Sequence, residues 1–272
     1  MSIPGNGEGG SIAGTDGAIR CGFHRGGRDA LMRILITRPE PDNARTAAAL
    51  QARGHRAVLA PLMRIKPLTP DLGDGPFAAL VLTSANAARA LAGHPQRAAI
   101  IDLPVFAVGG ATADAARAAG LRRIETAGGD AVDLARIIAA QPHGRSEPLL
   151  YLAGETRAAD VVGMLAAHGR QTQLAVVYRA VPRALSAEAA QMLAAGEIDV
   201  VAHYSRRSAL LFRDSVAALG APALAPLHVC FAAPIAEVLR DAGAQRIAVI
   251  ARPDEALLLD YIDSGGIVVT SD

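Results

Sequence analysis

Residues with chemical potential recur in this chain at one kind of place, after a short apolar run and before a helix-like stretch. One run ends in Thr37-Arg38-Pro39, with Asp42 placed to cap the helix that follows. Another ends in Thr83-Ser84-Ala85-Asn86 within "LTSANAARAL", and a third in Gly109-Gly110-Ala111-Thr112. Further on come Gly154-Glu155-Thr156-Arg157 and, within "HYSRRSALLF", Tyr204-Ser205-Arg206-Arg207-Ser208. Glycine and small residues let backbone N–H groups approach a ligand, and a helix start favours negative charge. Arginine adds a fork that fits a carboxylate. Taken singly, Ser84 and Ser205 read equally well as helix N-caps, the glycines as loop geometry and the arginines as solvated surface. Together these corners point to a site that holds a large polyanion without a metal.

Tyr178, in "VVYRAVP", lies near the end of an apolar run where the chain passes from one half to the other. A tyrosine there normally packs half-buried. If it faces a cleft, its hydroxyl can donate to a leaving oxygen, a modest acid role.

Other chemistries are poorly represented. Lysine occurs only at Lys66, so a Schiff base or a lysine grip on phosphate is nearly excluded. Motifs for a P-loop, a His-Glu-x-x-His metal helix, a paired-cysteine box or a G-x-S-x-G elbow are absent, and no cofactor is expected. His203 reads as structural. Glu155 and Asp199 sit singly, which gives no support to a glycosidase dyad. "GNGEGG" satisfies G-x-G-x-x-G through Gly5, Gly7 and Gly10, but no strand precedes it, as a dinucleotide loop requires.

The elements that must position these residues come from hydrophobic patterning. At 272 residues and 51% hydrophobic, the chain can build two ordinary cores. A formal charge of +1 with 19% charged residues gives no sign of a nucleic-acid or membrane-surface protein. Cys21 and Cys230 have no partner at ligand spacing, which favours a reducing, cytoplasmic setting. Residues 1–32 read as a disordered or weakly structured leader, with Met32 a candidate natural start and no secretory signal. Strands are expected at 34–37, 57–62, 79–84, 105–109, 123–127, 148–154, 174–181, 199–205, 228–232 and 246–251. Helices are expected near 42–53, 111–119, 130–140, 156–168, 186–195, 207–219, 234–242 and 254–263. Strands apolar on both faces, alternating with helices, define an α/β protein with parallel sheets.

The chain also repeats. Gly54 aligns with Gly169 and Pro67 with Pro182 at an offset of 115; Ser84 aligns with Ser205 at 121 and Gly120 with Gly243 at 123. A slowly drifting offset is what two copies with small loop insertions give.

The ordered set "ILITRPEPDNARTAAALQARGH", "MRIKP", "ALVLTSANAARAL", "FAVGGATADAARAAGL", "LLYLAGETRAADVVGMLAAHG", "AVVYRAVP" and "IDVVAHYSRRSALLF" resembles the uroporphyrinogen-III synthase family over about 33–263. The resemblance implies two similar α/β domains joined by a two-stranded β linker, with the active site in the cleft between them. Residues 33–62 plus 183–263 would form one domain and 68–176 the other, with 63–67 and 177–182 as linker strands and 264–272 as a tail. It implies closure of hydroxymethylbilane, received from the preceding pathway enzyme, to uroporphyrinogen III with ring D inverted and water lost. No cofactor, nucleic acid or membrane takes part, and a monomer is expected. Tyr178 matches the family's tyrosine thought to assist departure of the hydroxyl. Ser84, Thr112, Gly154 and Ser205 match corner residues, and Arg38, Asn86, Gly110, Ala111, Arg157, Arg206 and Arg207 join them as expected substrate contacts. Two departures concern the C-terminal half: Ser205-Arg206-Arg207-Ser208 replaces a serine–proline–serine corner, and Ala232-Ala233-Pro234-Ile235 replaces a glycine-rich turn with a threonine.

Two other classes fit the composition. A two-lobed binding or sensor module for a small polyanion needs the corners but not the tyrosine. A nucleotide-dependent enzyme needs a glycine fingerprint after a strand, where this chain has Thr37-Arg38-Pro39-Glu40.

Overall fold

The computed structural model describes residues 31–141, 146–252 and 254–265. The glycine motif at 5–10, Cys21, nearly all of the leader and most of the tail lie outside them.

Eleven strands and ten α-helices lie along the described residues, alternating over most of their length. The first stretch runs β1 (Arg33–Ile36), α1 (Asp42–Ala52), β2 (Arg56–Leu59), β3 (Met63–Pro67), β4 (Ala79–Leu82), α2 (Ala85–Ala92) and α3 (Arg97–Ile100). Then come β5 (Val105–Ala107), α4 (Gly110–Ala118), β6 (Ile124–Thr126), α5 (Ala131–Ala140), β7 (Leu149–Gly154), α6 (Val161–Ala167) and β8 (Thr172–Pro182). The chain continues through α7 (Ala187–Ala194), β9 (Val200–His203), α8 (Arg206–Val216), a 3-10 turn at Ala221–Leu224, β10 (Leu227–Cys230), α9 (Ala233–Asp241), β11 (Ile247–Val249) and α10 (Glu255–Asp263).

Two sheets result. The first has the order β11-β10-β9-β1-β2 and is wholly parallel. The second has the order β3-β8-β7-β4-β5-β6, parallel except where β3 meets β8. Residues 33–59 therefore share a sheet with 200–249, and the strands between 63 and 182 make up the other.

Period-2 alternation drives both sheets. On β1, Ile34 and Ile36 pack with Leu50 of α1 and Leu258 of α10, while Leu35 packs with Phe212 of α8 and Leu239 of α9. On β4, Leu80 and Leu82 face α2, whereas Val81 faces α5 and α6. All six strand residues are fully buried. Each such side chain contributes about 1.5–3 kcal/mol by leaving water, which is why these short runs hold as sheet centres.

The repeat acquires a structural meaning. Gly54 and Gly169 follow α1 and α6, and Gly120 and Gly243 follow α4 and α9; all four have φ between 71° and 95°. That is the left-handed helix-ending position that glycine takes without strain. Under the repeat, β1-α1-β2 corresponds to β7-α6-β8, and β4-β5-β6 to β9-β10-β11. Each sheet combines the leading strands of one copy with the trailing strands of the other. The copies are reciprocally exchanged.

Pro67 and Pro182 are the last residues of β3 and β8 and stand at opposite ends of their antiparallel ladder, Pro67 opposite Tyr178 and Pro182 opposite Met63. Three local readings are corrected. Residues 156–160 are not helical; α6 starts only after Asp160, whose carboxylate accepts from Gly163 N–H and caps it there. Asp42 does not cap α1: Pro41 holds that place without a side-chain bond, and the Asp42 carboxylate is drawn to arginines instead. The expected helices also omit α3, a single turn too short to show a periodic face.

Candidate active site

In an open parallel sheet, ligands bind beyond the carboxyl ends of the strands, at the point where neighbouring connections leave on opposite faces. In the first sheet that point lies between β1 and β9, because α1 covers one face and α8 the other. In the second it lies between β4 and β7, followed by α2 and α6 on opposite faces. The corners after these four strands carry Arg38, Ser205–Arg207, Ser84–Asn86 and Gly154–Arg157.

The two switch points are tied to each other. Arg89 of α2 donates from Nη1 to Asp42 Oδ2 at 3.0 Å and from Nη2 to Asp42 Oδ1 at 2.7 Å, a bidentate fork onto α1 of the other sheet. Asn86 Oδ1 accepts from the same Nη1 at 2.9 Å. Across the second tie, Arg207 donates to Thr156 Oγ1 at 3.2 Å and to the Ala180 carbonyl at 2.7 Å. Each tie joins the leading corner of one copy to the trailing corner of the same copy, now on different sheets.

Around Asp42 the charges form a network. Arg38 Nη2 and Arg45 Nη2 each lie 3.7 Å from it, and both arginines also meet Glu255, at 3.3 and 3.2 Å. Burial opposes ionisation of Asp42, but the bond from Arg89 and the fields of Arg38, Arg89 and Arg45 outweigh it and hold the carboxyl below its ordinary value. Arg38 also lies over the Tyr204 ring, 4.5 Å from the centroid. Burial pushes the Tyr204 phenol up to about 12. Thr46 donates to Glu255 and closes the network.

Tyr178 marks the other corner. It sits where β8 changes partners, opposite Pro67 on one side and Gly154 on the other. A β-carbon on residue 154 would stand 2.6 Å from Tyr178 Cζ and 2.8 Å from its hydroxyl, so any larger residue there must displace the ring or the strand. The Tyr178 carbonyl accepts from Glu155 N–H at 3.0 Å. Beside this turn, Tyr151 and Thr83 share a hydrogen bond of 2.8 Å between their hydroxyls. Burial raises the Tyr151 phenol above its ordinary value; Thr83 and Arg157 pull the other way and Tyr178 adds slightly.

The remaining expected contacts are placed as follows. Ser84 caps α2, accepting from Asn86 N–H at 3.2 Å, and Ser205 caps α8, accepting from Ser208 N–H at 3.2 Å. Gly110 and Ala111 are exposed at the start of α4, with Thr112 buried behind them. Arg157 is exposed and bends back to the Gly154 and Glu155 carbonyls at 3.5 and 3.4 Å. Arg206 is exposed. Pro234 sits in the first turn of α9, where its missing N–H would have no helical partner.

Asp42, Asn43, Arg89 and Tyr151 are not among the expected site residues. Asn43, next to Asp42 on α1, is 1% exposed, and neither of its amide atoms has a hydrogen-bond partner among the described residues. Nothing local distinguishes these residues from ordinary helix and strand positions; only the "N-x-x-R" spacing of Asn86 and Arg89 hints at a shared helix face. Among the described residues, no group of three or more His, Cys, Asp or Glu side chains could hold a metal, and no helix is long and apolar enough to cross a membrane.

The molecule is thus an α/β protein of two sheets, parallel but for the β3–β8 pair, whose carboxyl-end corners are hydrogen-bonded to each other. A sequence profile described as uroporphyrinogen-III synthase HemD matches residues 44–260. The chain belongs to the uroporphyrinogen-III synthase family, cyclising lyases of haem biosynthesis. Its fold is similar to that of uroporphyrinogen-III synthetase from Helicobacter pylori, with a TM-score of 0.58 at 16% identity, covering 85% of this chain and 98% of that one. It is also similar to a mutant uroporphyrinogen III synthase from Thermus thermophilus, with a TM-score of 0.50 at 17% identity, covering 86% and 98%. A search of curated proteins by sequence gave no match.

Proposed function

We propose that this chain closes hydroxymethylbilane to uroporphyrinogen III between the facing carboxyl edges of its two sheets. The sheets then act as the cores of two domains, 33–62 with 183–263 and 68–176, with the 63–67 and 177–182 strands as the hinge between them. The observation that carries the reading is the pair of ties, Arg89 to Asp42 and Arg207 to Thr156, which bring both switch points to one place.

The substrate bears eight carboxylates. Helix starts capped by Ser84 and Ser205, the open N–H groups at Gly110 and Ala111, and the guanidiniums of Arg38, Arg157, Arg206 and Arg207 offer matching donors. Tyr178 stands at the hinge and donates to the departing hydroxyl. Departure leaves a cationic azafulvene, which the surrounding carbonyls and phenols stabilise. The open chain also closes unaided, to the uninverted isomer, so the main contribution is orientation of the last ring. Thr112 supports its corner from within, and Gly154 sets the Tyr178 ring. The substrate arrives from the preceding enzyme of the pathway, and the chain works as a cytoplasmic monomer.

The test is product analysis. Purified protein incubated with hydroxymethylbilane, followed by oxidation and separation of isomers, is expected to yield the inverted isomer faster than the spontaneous reaction yields the other. A product made only of the uninverted isomer at the spontaneous rate would remove the reading.

A further inference from the structure

We infer that Arg89 is a carboxylate receptor of the site, and that Asp42 is the protein's own carboxylate occupying it until a ligand carboxylate takes its place. The identity of the ligand rests on the function proposed above; the chemistry of the receptor does not.

Three observations converge. Arg89 presents both terminal nitrogens to Asp42 in the fork geometry that suits any carboxylate, and Asn86 fixes the plane of the guanidinium from one turn away on the same helix. The pair joins helices that belong to different sheets, α1 and α2, so a small separation of the sheets opens the fork without unfolding either core. Asp42 also has other cationic neighbours. Arg38 and Arg45 already stand 3.7 Å from it and can close on it when Arg89 leaves.

The charge balance favours exchange. Arg38, Arg45 and Arg89 face two carboxylates, Asp42 and Glu255, which leaves one positive charge in excess at the mouth between the switch points. The Arg89 and Asp42 side chains are 30% and 15% exposed, so the fork is reachable from solvent yet partly screened from it. An entering carboxylate gains a bidentate partner, and Asp42 keeps two. Arg89 therefore selects for acid side arms on the ligand, and Asp42 sets the threshold that a ligand must exceed.

The experiment measures binding of uroporphyrin III, a stable octacarboxylate, by fluorescence to wild type, Asp42→Asn, Arg89→Gln, Arg89→Lys and the Asp42→Asn/Arg89→Gln double variant. Asp42→Asn is expected to bind several-fold tighter, because the competing carboxylate is gone. Arg89→Gln is expected to bind about tenfold more weakly, Arg89→Lys in between, and the double variant like Arg89→Gln alone. Circular dichroism and melting checks accompany each variant, and Arg89→Lys carries the comparison if Arg89→Gln does not fold. If Asp42→Asn and Arg89→Gln shift affinity in the same direction, or neither shifts it, the pair is a staple between sheets and the inference falls. Absence of binding to both wild type and Asp42→Asn also overturns it. The bilane assay separates the two claims: a wild type with the predicted binding pattern but no inverted product keeps the receptor and loses the function reading. Inverted product with equal binding by the two single variants does the reverse.

Discussion

Tyr178 lies against Gly154 so closely that a β-carbon there would meet the ring at 2.6 Å, and this contact falls where β8 leaves one partner strand for another. The glycine thus fixes the ring beside the proposed hinge. Gly154→Ala must turn the ring away or part the strands. Its backbone φ is not in the left-handed region, so the damage is steric and local. We expect Gly154→Ala to lower kcat on hydroxymethylbilane by about tenfold or more while costing roughly 1–3 kcal/mol of stability. Steady-state kinetics with urea unfolding checks this; wild-type kcat would detach Tyr178 from the chemistry.

The two adjacent arginines at the second corner should behave differently. Arg207 reaches Thr156 and the Ala180 carbonyl, whereas Arg206 is exposed. Arg207→Ala is expected to raise KM several-fold, with the larger effect at low salt, and Arg206→Ala to raise it less. Equal effects from both would make them a simple surface patch. Kinetics at two ionic strengths suffices.

A third prediction concerns acid stability. His203 Nε2 and His228 Nδ1 lie 3.0 Å apart, buried beside Phe212. Burial lowers the His203 imidazole well below its ordinary value and the His228 imidazole to about 4. Both groups therefore stay neutral in the folded state while the unfolded chain takes up protons first. Stability is fully present above about pH 6.5 and is lost as pH falls from there towards 4. His228 alone accounts for roughly 3 kcal/mol of this loss by the time pH reaches about 4, where the carboxylates titrate as well. Urea midpoints at pH 7.5, 6 and 5 should fall steadily; a flat profile to pH 5 would contradict the buried neutral pair.

Much of this architecture is legible in the sequence, for identifiable reasons. Runs such as 34–36 and 80–82 are apolar at every position, and only a sheet covered on both faces satisfies that. The paired glycines, 54 with 169 and 120 with 243, expose the repeat because each ends a helix in a conformation other residues avoid. The exchange of halves is not readable from local pattern. Ile34 pairing with Val200 is a choice of partner 166 residues away, and a two-residue period says nothing about partners. In the site, the corners are legible because Ser84, Gly154 and Ser205 each have a backbone task. Asp42 reads as a cap in the sequence because its true partner, Arg89, is 47 residues away on another sheet. Tyr151 gives no signal, since a buried tyrosine in an apolar strand reads as packing until its bond to Thr83 is seen.

Catalysis as proposed rests on orientation of the bilane, with Tyr178 assisting the leaving group. One measurement addresses that directly: the isomer composition and rate of product formed from hydroxymethylbilane by wild type and by Tyr178→Phe. Wild type should give the inverted isomer, and Tyr178→Phe should give the same isomer about ten- to a hundredfold more slowly, the loss of one modest acid with the orienting contacts intact. The uninverted isomer from wild type, formed at the rate of the reaction without protein, would contradict it.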